Sequence, residues 1–218
     1  MHVFEKTVLI IGTTSLAYLI GAIPSGYLLA RLKGVDIRKV GSGNIGATNV
    51  YRCVGKSWGI LTFVLDFLKG YLPTTVFPMF IVHWSNEFSG LSLSLLCGGL
   101  AVIGHNWPVY LRFRGGKGMA TGAGALSGFA PLAILIGLVS WLIVFATTRY
   151  VSLASIFTAL IIAVSSWWVY GENIAVPAAL SVMGAIVIWR HQSNIKRLLN
   201  GTEHRFKFGT KNSGVRSQ

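Results

Sequence analysis

Met119-Ala120-Thr121-Gly122-Ala123-Gly124-Ala125-Leu126-Ser127-Gly128-Phe129-Ala130-Pro131 opens an apolar stretch that runs on to Thr147. Whether this stretch is one helix or two decides the topology. A helix that crosses a bilayer needs roughly 20 apolar residues. Five other stretches meet that need: Val8–Ala30, Trp58–Val82, Leu91–Tyr110, Val151–Tyr170 and Ile174–Trp189. Basic residues gather on the cytoplasmic side of membrane proteins. Here six lie in residues 31–57, three in 111–118 and seven from Arg190 onward, while 83–90 and 171–173 have none. If 119–147 were one span, the seven carboxy-terminal cations would fall outside. If it breaks near Gly128-Phe129-Ala130-Pro131, 17 of the 19 basic residues share the cytoplasmic face, Arg149 included.

The sequence therefore predicts an all-α integral membrane protein. The expected architecture is a seven-transmembrane helical bundle with its N-terminus outside and its C-terminus cytoplasmic. The fourth span, Met119–Gly128, is too short to cross a ~30 Å hydrocarbon core at ~1.5 Å per residue. It has to pack inside protein, where its small residues let neighbours approach closely. Residues 1–209 read as a single polytopic domain and 210–218 as a disordered tail.

Composition agrees with this class. Hydrophobic residues make up 53% of the 218 and charged residues 11%, with a mean hydropathy of +0.62. Soluble domains carry about 25% charged residues. The net charge of +13 is explained by topology rather than nucleic acid, because the cations lie between and after apolar runs. Cys53 lies in a basic segment and Cys97 in an apolar one, so no disulfide is expected. The first apolar run, Val8–Leu32, is too long for a signal-peptide core. Tryptophans 84, 107, 141, 167, 168 and 189 fall mostly near span ends, as an interfacial belt does.

Three polar segments remain. The first is Val40-Gly41-Ser42-Gly43-Asn44-Ile45-Gly46-Ala47-Thr48-Asn49-Val50-Tyr51-Arg52. It reads either as a polar interfacial loop with a helix cap or as an anion site, since N–H groups at a helix start attract anions and guanidinium binds phosphate. The second runs from Gly104-His105-Asn106-Trp107-Pro108 to Phe113-Arg114-Gly115-Gly116-Lys117-Gly118. Its Gly-rich turn offers backbone N–H groups and one cation before a helix start. His105 alone reads as a satisfied polar residue at a helix end. The third is His191–Glu203, where His191 and Asn194 share a helix face and Glu203 is the only acid among the tail's cations. Asp66 and Lys69, at i and i+3 in the second span, read as a structural pair. No stretch fits G-x-x-x-x-G-K-[ST], so an ATPase is unsupported.

Together, in this order and spacing, these segments resemble the PlsY family, the acyl-phosphate-dependent glycerol-3-phosphate acyltransferases of bacteria. The likeness runs through nearly the whole chain. It is strongest in Gly34–Asn49, Leu65–Gly70, Gly104–Thr121, Arg149–Ser155 and His191–Phe206. The resemblance implies transfer of a fatty acyl group from acyl phosphate to the 1-hydroxyl of sn-glycerol 3-phosphate, giving lysophosphatidate and phosphate, the first acylation of phospholipid synthesis. It implies the bacterial inner membrane, an active site on the cytoplasmic side, and coupling to the enzyme that makes acyl phosphate. No cofactor, metal or nucleic acid is called for.

By the same resemblance the catalytic set is Ser42, Arg52, Lys117, His191 and Asn194. The phosphate-binding set is Gly41, Gly43, Asn44, Gly46, Thr48, Asn49, His105, Gly115, Gly116, Gly118, Thr121 and Ser152. Asp66, Lys69 and Glu203 are structural. An acyl phosphate is already activated, and the sequence has no G-x-S-x-G elbow and no His-x-x-x-x-Asp. The proton from the hydroxyl can go to His191, to His105 or to a substrate phosphate oxygen. The resemblance favours the phosphate. A competing class is an organic-phosphate transporter, which spans, a broken helix and basic loops also suit.

Overall fold

The chain is all helix among the residues that a computed structural model describes, 3–84 and 90–206. The loop near 83–90 and the tail 210–218 singled out above lie wholly or largely outside them, as does the Trp84 side chain. The helices are α1 Val3–Ala22, α2 Ser25–Arg31, α3 Ala47–Cys53, α4 Lys56–Trp84, α5 Gly90–Asn106, α6 Met119–Phe129, α7 Pro131–Thr148, α8 Val151–Val169, α9 Ala175–Arg190 and α10 Gln192–Leu199. A single 3-10 turn, Val109–Leu111, follows α5.

The stretch from Met119 does divide, at Ala130, where φ is −139° and ψ 62°. Pro131 then sits at the first position of α7, where its missing N–H costs nothing. Among the described residues, four segments are long and apolar enough to cross a membrane: Phe4–Arg31 taken across its break, Lys56–Ile81, Pro131–Thr148 and Val151–Val169. Ala175–Arg190 is a shorter apolar helix. Large apolar side chains such as Leu138, Ile143, Leu160 and Val164 are exposed along α7 and α8, as lipid-facing residues are.

The first span departs from the continuous Val8–Ala30 helix that hydropathy suggested. It breaks at Ile23–Pro24, because Pro24 has no N–H to continue the ladder. At the break the Ile23 carbonyl accepts the Ser25 N–H at 3.0 Å, and Lys69 Nζ also donates to it at 2.7 Å while pairing with Asp66 Oδ1 at 2.8 Å. Both charged side chains are almost fully buried. The pair thus caps a broken helix from inside the bundle.

α6 is eleven residues long, about 16 Å at 1.5 Å per residue, and it lies against α4 and α5. Its glycines allow the contact. A Cβ on Gly124 would meet the Phe67 carbonyl at 2.0 Å, and one on Gly70 would meet the Thr121 carbonyl at 2.0 Å. Both obstacles are backbone, so Gly124→Ala has to push α4 and α6 apart. Overpacking of this kind costs about 1–3 kcal/mol. Thermal unfolding in detergent is expected to show a clear fall in Tm for Gly124→Ala and little change for Gly122→Ala, whose added Cβ meets nothing within 4 Å.

At one end of the bundle, Ile37, Ile45, Val50, Ala30 and Leu111 form a small buried cluster. It pins the loop between α2 and α3 onto the turn after α5. That contact brings the first two polar segments together.

Candidate functional site

The loop between α2 and α3 is held from within. Asn49 is buried, and its Nδ2 donates to the carbonyls of Ile37, Val40 and Asn44 at 3.2, 3.1 and 2.9 Å. Its Oδ1 accepts from the Ser42 N–H at 3.0 Å. Asn44 Oδ1 accepts from the Gly46 N–H at 2.8 Å. Gly41 and Gly43 have φ of 59° and 69°, which glycine tolerates without strain. The polar groups of Asn49 are therefore spent on loop shape, and Thr48 sits half-buried in the first turn of α3. Ser42 is exposed. Just upstream, Asp36 takes Arg38 through two hydrogen bonds of 3.1 Å and Arg31 at 3.0 Å. The Arg38 hydrogen bond holds the Asp36 carboxyl down at about 2.

The Gly-Gly turn differs from the sequence reading in one respect. The Gly115 N–H donates to the Asn106 carbonyl at 3.2 Å and the Gly116 N–H to the His105 carbonyl at 3.0 Å. These two N–H groups are not free for an anion, because the turn zips onto the end of α5. What the glycines supply is close approach: a Cβ on Gly116 would lie 2.0 Å from His105 Nε2. His105 is buried behind the turn, with Nδ1 3.8 Å from Asp66 Oδ1. Gly118, at φ 79°, starts α6, whose own ladder begins with the Gly122 N–H on the Gly118 carbonyl. The amides of residues 119–121 precede that ladder, so they and Lys117 form the donor-rich part of the turn. Thr121 is fully buried in this first turn.

Lys117 Nζ donates to Asn194 Oδ1. Burial, opposed by Glu203 and aided by Arg197, Arg190 and Arg52, pulls the Lys117 ammonium down to about 8. Asn194 Nδ2 in turn donates to Glu203 Oε1 at 2.8 Å. Ser152 Oγ donates to the same oxygen at 2.8 Å, and Arg197 Nε pairs with Oε2 at 2.7 Å. Ser152, placed with the phosphate ligands on sequence grounds, thus directs its hydroxyl to Glu203 instead. Burial would raise the Glu203 carboxyl, but the hydrogen bonds from Asn194, Arg197 and Ser152 hold it below its usual value. His191 is buried where α9 meets α10, and its Nδ1 donates to the Val187 carbonyl at 2.7 Å. That bond leaves the lone pair on Nε2. Burial first, then the Lys117 charge, depress the imidazole to about 4, so it is neutral at pH 7.

A cavity of about 530 Å³ touches all three segments; His191 and Asn194 stand behind its wall rather than lining it, Asn194 in contact with it through Lys117. It is lined by Ser42, Gly43 and Asn44 of the first segment, Gly115 and Lys117 of the second, and Ser193 and Arg197 of the third. Arg38, Lys39, Arg114 and Arg190 add further cations, and the lone acid, Asp36, is already paired. Arg52 does not line it; its Nη2 lies 3.5 Å from the His204 carbonyl, facing the carboxy-terminal segment. Burial lowers its pKa. Sequence reasoning missed Arg38, Arg190 and Arg197. Each sits in a run of cations that topology already explained, so no local signal set it apart.

The cavity suits anionic, phosphate-bearing molecules.

A family model described as glycerol-3-phosphate acyltransferase matches residues 11–201. The glycerol-3-phosphate acyltransferase of Aquifex aeolicus is 47% identical over 192 residues, covering 87% of this chain and 95% of the relative. That of Geobacter sulfurreducens is 44% identical over 195 residues, covering 89% and 96%. The crystal structure of PlsY, an integral membrane glycerol 3-phosphate acyltransferase, in its glycerol 3-phosphate form superposes with a TM-score of 0.81 at 43% identity, over 91% of this chain and 96% of that one. Its lysophosphatidic acid form gives 0.78 at 42% identity, over 91% and 95%.

Proposed function

The chain belongs to the PlsY family of integral membrane glycerol-3-phosphate acyltransferases, and from that premise we propose that it moves a fatty acyl group from acyl phosphate to the 1-hydroxyl of sn-glycerol 3-phosphate. The observation that carries this reading is the single cationic cavity that joins all three polar segments. Two phosphates side by side need that much positive charge. The same reading takes residues 1–209 as one polytopic domain with seven spans, the N-terminus outside and the cavity on the cytoplasmic face of the bacterial inner membrane.

Glycerol 3-phosphate is assigned to the turn around Lys117, with His191 and Asn194. The acyl phosphate head is assigned to the Ser42–Arg52 segment. The hydroxyl oxygen attacks the acyl carbonyl carbon, the bond from that carbon to the phosphate oxygen breaks, and inorganic phosphate leaves. The hydroxyl proton goes to a phosphate oxygen. A phosphate whose second pKa is near 6 is a better acceptor at neutral pH than a His191 held at about 4. The protein's contribution is placement and charge, and placement alone can supply ~7–11 kcal/mol.

This assigns a shape to the pH dependence of kcat/KM. It rises as glycerol 3-phosphate becomes a dianion near pH 6. It falls as Lys117, protonated below its value of about 8, loses its charge above it. Neutral His191 adds no limb between pH 5 and 9. In Lys117→Arg the upper limb is expected to move beyond pH 9, since guanidinium stays charged with a pKa above about 12. An upper limb unchanged in that variant would contradict the assignment.

A transporter for organic phosphates is the second reading. Against it, the deep charges Asp66 and Lys69 are paired with each other, and Lys69 is bonded to the Ile23 carbonyl as well, so both are engaged within the bundle. Reconstituted vesicles given labelled glycerol 3-phosphate separate the two. An acyltransferase converts the label to lysophosphatidate when acyl phosphate is added. Accumulation of unmodified label inside the vesicles, with no product, would favour the transporter.

A further inference from the structure

Arg190 closes α9, directly before His191, and it reaches across to the Gly-Gly turn. Its Nε donates to the Gly116 carbonyl at 3.0 Å and its Nη2 to the Gly115 carbonyl at 3.0 Å. The guanidinium also lies over the Trp107 ring, 5.5 Å from its centroid, and Trp107 packs on Trp189 at 5.7 Å. The two glycine N–H groups are bonded to the end of α5, as described above. Every backbone polar group of Gly115 and Gly116 is therefore engaged, the N–H groups by α5 and the carbonyls by Arg190.

We propose that Arg190 is a positioning residue for the phosphate of glycerol 3-phosphate. It rests on the reading that the Lys117 turn holds that phosphate. Two carbonyl oxygens beside a dianion repel it; a planar fork that takes both removes the repulsion and fixes the turn. The fork also ties the turn to the end of α9, directly before His191 and the α10 turn that carries Asn194, so Lys117 and its Asn194 partner keep one register. A lysine cannot replace it, because a point charge has neither the two-pronged geometry nor a flat face for Trp107. Trp107 sets the plane of the fork and is expected to act in the same direction.

The test compares wild type, Arg190→Lys, Trp107→Leu and Lys117→Ala in detergent, reading kcat and KM for each substrate and Tm. Misplacement of a bound group by about 1 Å costs up to about 10²-fold, so Arg190→Lys is expected to raise the KM for glycerol 3-phosphate about 10- to 30-fold. Its kcat, its KM for acyl phosphate and its Tm are expected to stay near wild type. Trp107→Leu is expected to show a smaller rise with the same selectivity, and it carries the test if Arg190→Lys does not fold. A wild-type KM in both variants, with a raised KM in Lys117→Ala, overturns the positioning role. Equal losses for both substrates together with a lower Tm also overturn it, since that marks a general structural part. A wild-type KM in Lys117→Ala instead overturns the underlying reading of the turn.

Discussion

Lys117→Ala is expected to raise the KM for glycerol 3-phosphate by about 10- to 10²-fold, the cost of losing one or two hydrogen bonds to a charged group at ~1.5–3 kcal/mol in total. Lys117 has no close substitute. Its ammonium sits between Asn194 Oδ1 and the start of α6, where the amides of 119–121 add to its field. Arg197 is already paired with Glu203, and Arg190 is bonded to the turn's carbonyls. Steady-state kinetics with varied glycerol 3-phosphate checks this. The KM for acyl phosphate is expected to change less, and unchanged kinetics would remove the turn from the site.

The second large effect is expected at Glu203. Its side chain is 6% exposed, and it accepts from Ser152, Asn194 and Arg197, which come from α8 and α10. Glu203→Ala leaves a guanidinium without its partner and frees Asn194 to turn away from Lys117. Removing one partner of a fully buried ion pair costs about 3–5 kcal/mol, and with Arg197 29% exposed at the cavity wall the cost here is expected below that, about 2–3 kcal/mol. A large fall in Tm, with loss of activity, is therefore expected in detergent. Glu203→Gln keeps an acceptor oxygen without the charge and is expected to fall between. The carboxyl is held below its usual value, so its contribution is present above the unfolded value of 4.5 and lost as pH falls through the lower folded value. Wild type is thus expected to lose this part of its stability on acidification and Glu203→Ala to lack that loss.

Much of this architecture is legible before any coordinates, for physical reasons. The division at Ala130–Pro131 follows from charge bookkeeping, because one continuous helix would have sent seven cations to the wrong side. The i, i+3 spacing of Asp66 and Lys69 announces their pair, since such residues share a helix face. The purpose of the pair is not legible, because Lys69 reaches the Ile23 carbonyl at the helix break, 46 residues before it in the chain. Pro24 was hidden by the hydropathy around it, which stays high on both sides of the break.

The site is legible in its parts and not in its wiring. Glycine and lysine in the turn point to an anion, but a free N–H and one bonded to the next helix look alike in sequence. Gly115 and Gly116 turn out to be the bonded kind, and the open amides lie a few residues later, at the start of α6. Ser152 and Asn49 are polar residues in motif positions whose side chains hold other parts of the site in place. Arg190 could not be told from the cations that set topology, because its partners on the Gly-Gly turn are brought near only by the folded bundle; Arg197 lies six residues before its partner Glu203, but nothing local separates it from the neighbouring cations.

On the proposed function, this cationic cavity transfers an acyl group from an acyl phosphate. The most direct test is a donor comparison. Purified protein in lipid is given labelled glycerol 3-phosphate with palmitoyl phosphate, palmitoyl-coenzyme A or palmitoyl-acyl carrier protein, and lysophosphatidate is measured. Product is expected from palmitoyl phosphate alone, with one inorganic phosphate released per lysophosphatidate formed. Product from either thioester at a comparable rate, or none from palmitoyl phosphate with folded protein, would contradict it.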